Sequence, residues 1–368
     1  MRIADFELER YFARWEFAAR HVLCASDVEP YRLDELLPLA DDDARHRWET
    51  LRLGYTESLG LPALREELAS LYHTLSADDL ITFAGAEEGV FVAMHALLQL
   101  GDHAVVAWPA YQSLYEVARS IGADVTLVAL DPRDWSLDVD AVAAAMRPNT
   151  RVIVVNSPHS PTGAQISAAD QARLVSIAEL HGAYLFSDEV YRFLEHGAPP
   201  LAPAADATPR AFSLGVMSKA FGLAGLRIGW IASSDPALRA RLASLKDYTS
   251  LCNSAPSEIL ALIAVRARRT VLARSMEIIR GNLELLDGFF ARSAERFRWV
   301  RPRAGSVGFP ELLAGNVDDF ADELVRRDGV LILPASRFGY PGNHFRIGFG
   351  RRDFGAGLER LEAFATRS

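Results

Sequence analysis

The sequence predicts an α/β protein: a mostly parallel sheet flanked by helices, joined to a smaller α+β unit. Three observations lead there. Runs such as Arg151-Val152-Ile153-Val154-Val155 are β-branched without alternation, the pattern of a strand buried on both faces. Several runs end in a small or polar turn that opens into a helical stretch, the βα unit of layered α/β folds. The chain has 368 residues, half of them hydrophobic, enough for one large core and a smaller second one.

Charge and cysteine usage narrow the function classes. With 39 basic against 48 acidic residues the net charge is −9, which gives no electrostatic footprint for nucleic acid. Cys24 and Cys252 are too few for a disulfide framework and fit a reducing compartment. The stretch Ile3-Ala4-Asp5-Phe6-Glu7 is charged where a signal peptide needs an apolar run. The apolar segment from Ile259 to Val265 is far shorter than the roughly 20 residues that cross a bilayer. These readings predict a cytoplasmic protein that binds neither membranes nor nucleic acids.

Taken in order, residues 1–23 place Phe6, Tyr11, Phe12, Trp15, Phe17 and Val22 at irregular helical spacing and predict a helix packed on another part of the chain. Pro30 and Pro38 break the next segment. Tyr55 stands in a loop before a helix with Pro62 near its first turn. Ile81 to Val90 reads as strand, glycine turn and helix start. Such a helix terminus presents free N–H groups and a partial positive charge, which suits a phosphate. Gly85 lets the backbone approach, and Ala86 and Glu87 offer their N–H groups.

The strand Ala104-Val105-Val106-Ala107 leads into Trp108-Pro109-Ala110-Tyr111, and Arg151–Val155 leads into the proline-rich loop from Asn156 to Gly163. The strand from Ala183 to Ser187 ends in Asp188-Glu189-Val190-Tyr191. An acid there either caps the next helix or sits beside a ring nitrogen and keeps it protonated. After a break at Tyr248–Pro256, residues 257–292 are mostly helical. The last third offers strand candidates at 304–310, 330–334 and 345–349.

The chemistry centres on Ser218-Lys219-Ala220-Phe221-Gly222-Leu223-Ala224-Gly225-Leu226-Arg227-Ile228-Gly229-Trp230. A lysine in a turn is ordinarily solvated. Among small residues it loses water, which frees its amine to attack a carbonyl. An arginine at a fixed distance from that amine is placed to hold a phosphate. Together they fit a Schiff base with pyridoxal 5'-phosphate.

This string resembles the S-K-x-(F/Y)-G-(L)-x-G-x-R-x-G signature of the fold-type-I aminotransferases, class I/II group. The likeness runs from Tyr31 to Phe349, with Y-x-x-x-x-G-x-x-x-L-R at Tyr55, P-x-Y at Tyr111, a loop similar to N-P-x-N-P-T-G from Asn156, D-E-x-Y at Asp188 and R-I-x-F/Y at Arg346. It implies a large cofactor-binding domain over 40–255 and a small domain from 1–39 with 256–368. By the resemblance Lys219 carries the cofactor and then acts as base. Asp188 pairs with the pyridine nitrogen, and Asn156 and Tyr191 bond the phenolic oxygen. Tyr111 stacks on the ring. Gly85, Ala86, Glu87, Ser218 and Arg227 hold the phosphate, with Tyr55 reaching it from the neighbouring subunit of a homodimer. Arg346, with Asn156 and Tyr31, meets the substrate. The implied reaction moves an amino group between an amino acid and a 2-oxo acid.

The pattern departs in two places. Ser157, His159 and Ser160 alter the asparagine loop, and relatives with P-H-N-P there catalyse elimination or cyclisation. Val216 stands where the family has a hydroxyl on the phosphate, leaving Ser213 as a replacement. A lyase, cyclase or oxidase on this fold is therefore the alternative, since the strings are also similar to those of capreomycidine synthase. Asp27 and Glu29, in the segment that lines the family's substrate pocket, raise the expectation of a basic substrate.

Overall fold

The computed structural model describes residues 3–367. Its centre is a seven-stranded sheet, in the order Leu80–Phe83, Gly229–Ala232, Ala211–Val216, Tyr184–Asp188, Thr150–Asn156, His103–Trp108, Asp124–Ala129. All neighbours are parallel except Gly229–Ala232, which runs antiparallel to both of its neighbours. The expected α/β architecture is present. The edge strand Asp124–Ala129 went unread in the sequence because it is only half-buried and lacks an uninterrupted apolar run.

Successive side chains of a strand point to opposite faces, and here they join two different cores. Val152 and Val154 pack with Val90, Val92 and Met94 of the helix Ala86–Leu97. Ile153 and Val155 pack with Leu174 and Ala178 of the helix Ala168–His181. This two-sided burial is why the strand is β-branched throughout. Each such valine or isoleucine contributes roughly 1.5–3 kcal/mol over an exposed one.

Outside this sheet the carboxy-terminal part combines helices with short strands. Phe345–Gly348 lies between Val307–Gly308 and Leu333–Pro334, antiparallel to both. The amino-terminal segment joins this part, since His21–Val22 pairs in parallel with Val330–Leu331. The helix expected over residues 1–23 is not continuous across the described part, 3–23. The helix is confined to Glu7–Trp15 and a turn leads to the short strand. Two successive helices, Ala255–Arg266 and Arg268–Arg292, realise the helical stretch expected after the break. Among the described residues no helix is long and apolar enough to cross a membrane.

Candidate active site

The parallel strands deliver their chemistry to one edge. Asn156 and Asp188 are the last residues of adjacent strands and sit opposite each other in register. Tyr111 follows the end of His103–Trp108, and Lys219 follows the end of Ala211–Val216. The antiparallel strand contributes from the other direction. Because Gly229 pairs with Phe83 and Val216 at their carboxyl ends, Arg227 just before it lands on the same edge. Ligands of open α/β sheets bind beyond the strands' carboxyl ends, and there lies a cavity of ≈ 410 Å³.

Lys219 projects into this cavity and donates from Nζ to Ser26 Oγ at 2.7 Å, 5.6 Å from the centre of the Tyr191 ring. Tyr191 donates its hydroxyl to the Ser26 carbonyl at 2.9 Å. Asn156 ties two loops together: its Nδ2 donates to the Asp188 carbonyl at 2.9 Å and its Oδ1 accepts from the Ser160 N–H at 2.6 Å. One N–H of its amide is left to face the cavity. The Asp188 carboxyl accepts from the Val190 N–H at 3.2 Å. Burial raises its pKa to about 7, against the lowering effect of that N–H and of Lys219.

Arg346 is 2 % exposed, on the strand Phe345–Gly348. Its Nε and Nη2 donate to the Cys24 carbonyl at 3.1 and 2.8 Å, and it has no ion pair with a carboxylate among the described residues. The guanidinium is thus oriented by the backbone and presented to the cavity. Arg227 has a left-handed backbone (φ 53), uncommon for a residue with a side chain. It follows the short helical turn Ala224–Leu226. Its guanidinium fills the space that a Cβ on Gly85 would take, at the start of the helix Ala86–Leu97. Gly85 itself has φ 87 and does not line the cavity, while Ala86 and Glu87 do.

These features fit pyridoxal phosphate. A glycine cradle, a helix amino terminus and Arg227 make a phosphate site. Among the described residues the buried Asp188 carboxyl has no ion pair, and a protonated ring nitrogen would supply one. Lys219 lies on the same cavity. Ser218 and Tyr111 line it too. The Tyr111 hydroxyl donates to Glu9 Oε1 at 2.9 Å, and its ring packs 5.0 Å from that of Phe6.

Other expected residues sit elsewhere. Tyr31 is not a lining residue: its ring lies under the Arg274 guanidinium at 4.1 Å, and its N–H donates to Gly222. Tyr55 is 91 % exposed and outside the cavity. Ser213 does not replace the missing phosphate hydroxyl, because it donates to the buried Glu189 at 2.7 Å, while Val216 lines the cavity. His159 is buried outside the cavity with Nδ1 on Thr162 Oγ1 at 2.8 Å, and burial lowers its pKa to about 4. Asp27 does line the cavity, yet both its oxygens accept from Arg351 at 2.9 Å. Glu29 does not, and accepts from the Arg352 N–H.

The sequence reading missed one wall. The helix Glu7–Trp15 and the residue after it bring Leu8, Glu9, Phe12 and Glu16 onto the cavity, while Tyr11 faces the core. The i, i+3, i+7 spacing of Glu9, Phe12 and Glu16 marks a single helix face, a signal hidden beside the aromatic stripe.

The model of the family "Aminotransferase class I and II" matches residues 38–353. The chain is 32% identical to capreomycidine synthase of Streptomyces vinaceus over 351 residues, which covers 94% of this chain and 88% of that protein. A pyridoxal-phosphate-dependent aminotransferase from Streptococcus suis superposes with a TM-score of 0.94 at 27% identity, over 100% of this chain and 99% of that one. The pyridoxal-phosphate-dependent cyclase OrfR superposes with a TM-score of 0.91 at 30% identity, over 100% and 98%. The chain therefore belongs to the class I and II aminotransferases, fold-type-I enzymes that use pyridoxal 5'-phosphate to move an amino group between an amino acid and a 2-oxo acid.

Proposed function

We propose that amino transfer is carried out by Lys219, Asp188 and Arg346 acting on a substrate held in the 410 Å³ cavity. The observation that carries this reading is the convergence of an amine, a buried carboxyl and an oriented guanidinium without a carboxylate partner on one cavity. When bound there, the cofactor supplies the electron sink that makes the substrate's Cα proton removable. Arg346 holds the α-carboxylate through its planar fork, which fixes the Cα–H bond in one direction. Lys219 takes that proton on Nζ and delivers it again as general acid. Ser26, already bonded to Nζ, keeps the amine over the site between these steps. With the cofactor bound, Asp188 would hold a proton on the ring nitrogen, and Arg227 with the Ala86 and Glu87 N–H groups would anchor the phosphate.

The finer assembly follows the same reading. Residues 40–255 make the cofactor domain, and 1–39 with 256–368 make the small one, supported by the pairing of His21–Val22 with Val330–Leu331. The active form is a homodimer in which Tyr55 serves the neighbouring site. Supporting this, Leu53, Tyr55 and Tyr248 are 86 %, 91 % and 88 % exposed on two loops tied by Thr56 Oγ1 and the Asn253 carbonyl at 3.0 Å. Such exposed apolar groups mark interfaces. Free Cys24 and Cys252 suit a cytoplasmic setting. The test is borohydride reduction of the holoenzyme followed by peptide mass spectrometry. Cofactor fixed to Lys219 is expected, and fixation at another lysine overturns the assignment.

Cyclisation is the second reading, favoured by the likeness to capreomycidine synthase and to OrfR. It predicts a product that keeps the substrate's amino nitrogen and leaves the 2-oxo acid unconsumed.

A further inference from the structure

We propose that Glu16, with Glu9 beside it, selects amino acids whose side chain ends in a cation. This deepens the reading of the cavity as an aminotransferase site and rests on Arg346 taking the α-carboxylate. The argument is one of charge complementarity, residue by residue. Five acids line the cavity (Glu9, Glu16, Asp27, Glu87 and Asp188) against four bases, Lys219, Arg227, Arg346 and Arg351. Asp27 is satisfied by Arg351. Asp188 and Arg227 would be taken up by the ring nitrogen and the phosphate of bound cofactor, and Lys219 would carry it. Glu87 accepts from Ser113 Oγ at 3.1 Å, and burial lifts its pKa to about 7, so it is half-protonated near neutrality.

That leaves Arg346 as the base for an incoming carboxylate, and Glu9 and Glu16 as acids in no ion pair among the described residues. Glu9 accepts a neutral hydroxyl, that of Tyr111. The Glu16 carboxylate has neither a hydrogen bond nor an ion pair among the described residues. It is exposed at the rim, and burial of its carboxyl together with the negative charges of Glu9 and Asp27 raises its pKa against the lowering effect of Arg351 and Arg346. An ammonium or guanidinium placed there meets two carboxylates, whereas an apolar side chain leaves them uncompensated and a carboxylate is repelled. Arg346 gives an independent pointer to a ligand. It is almost wholly buried, faces the cavity and has no carboxylate partner, so a substrate anchored there by its α-carboxylate presents its other end within the same lining.

The experiment compares kcat/KM of the holoenzyme for L-arginine, L-ornithine, L-norleucine and L-glutamate with one common 2-oxo acid. Arginine or ornithine is expected to exceed norleucine at least tenfold. Glu16→Gln should lower that ratio at least tenfold, and Glu16→Asp should keep part of it. A merely structural role would depress all substrates together and leave the ratio unmoved. Equal or better use of norleucine or glutamate by the wild type, or an unchanged ratio in Glu16→Gln, overturns the proposal. A second arm needs no turnover. Calorimetry of the holoenzyme with δ-guanidinovalerate and hexanoate should show tighter binding of the former, lost in Glu16→Gln, and equal binding overturns the proposal. Absence of amino transfer from any donor, with this binding difference intact, would instead count against the transaminase reading.

Discussion

Replacing Asp188 by asparagine should make the cofactor-free protein more stable while abolishing turnover. Burial lifts this carboxyl from 3.8 to about 7. That is roughly three units at 1.36 kcal/mol each, or about 4 kcal/mol as an upper bound. The folded state keeps its proton where the unfolded chain has lost it. Stability is therefore fully present below pH 3.8, falls as pH rises towards 7 and is level above that. Asparagine keeps an oxygen for the Val190 N–H and carries no charge to bury. At about 2.1 cal/mol/K per residue, 368 residues give an unfolding entropy of roughly 0.8 kcal/mol/K, so the full effect is a Tm rise of about 5 °C. Scanning fluorimetry of stripped wild type and Asp188→Asn from pH 5 to pH 8.5 reads it directly. The Tm difference should open as pH rises, and bound cofactor should narrow it by supplying the cation the wild-type carboxylate lacks. A variant no more stable than wild type at pH 8, or a difference independent of pH, would refute the reasoning.

Further outcomes follow from the same geometry. Gly85→Ala should displace the Arg227 guanidinium and raise the cofactor dissociation constant at least tenfold, measured by absorbance after dialysis; unchanged affinity would show that Arg227 is not a phosphate clamp. Val216→Thr restores a hydroxyl on the cavity wall at nearly constant volume, and cofactor loss should slow severalfold in the same assay. Mixed Lys219→Ala and Tyr55→Ala subunits should recover activity that neither has alone, whereas no recovery would show that each subunit is self-sufficient. Arg346→Lys should raise KM for the amino acid far more than it changes cofactor affinity, because the fork bonded to Cys24 is lost.

The parallel strands were legible because burial on both faces leaves a direct mark, as in Arg151–Val155. Asn156 and Asp188 were legible because each stands directly after an apolar strand run, and Lys219 because of the glycine- and arginine-bearing string that follows it. The half-buried strand Asp124–Ala129 carries no such mark. Tyr31, which the resemblance assigns to the substrate, stands off the cavity because Arg274, far along the sequence, covers its ring. Asp27 and Glu29, the acids singled out in the sequence, are taken up by the Arg351 guanidinium and the Arg352 N–H, and Glu9 and Glu16 stand on the cavity beside Asp27. That exchange depends on how the amino-terminal helix docks, which tertiary contacts decide. His159, flagged by its loop, is packed outside the cavity with its ring held neutral.

The most direct test of amino transfer follows the nitrogen itself. Holoenzyme is incubated with an amino acid carrying labelled α-nitrogen and an unlabelled 2-oxo acid, and the products are resolved by mass spectrometry. Transfer through Lys219 predicts label in the amino acid formed from the oxo acid, one for each donor consumed, and none of it in Lys219→Ala. Label released as ammonia, or retained in a cyclised or oxidised donor while the oxo acid stays intact, would contradict it.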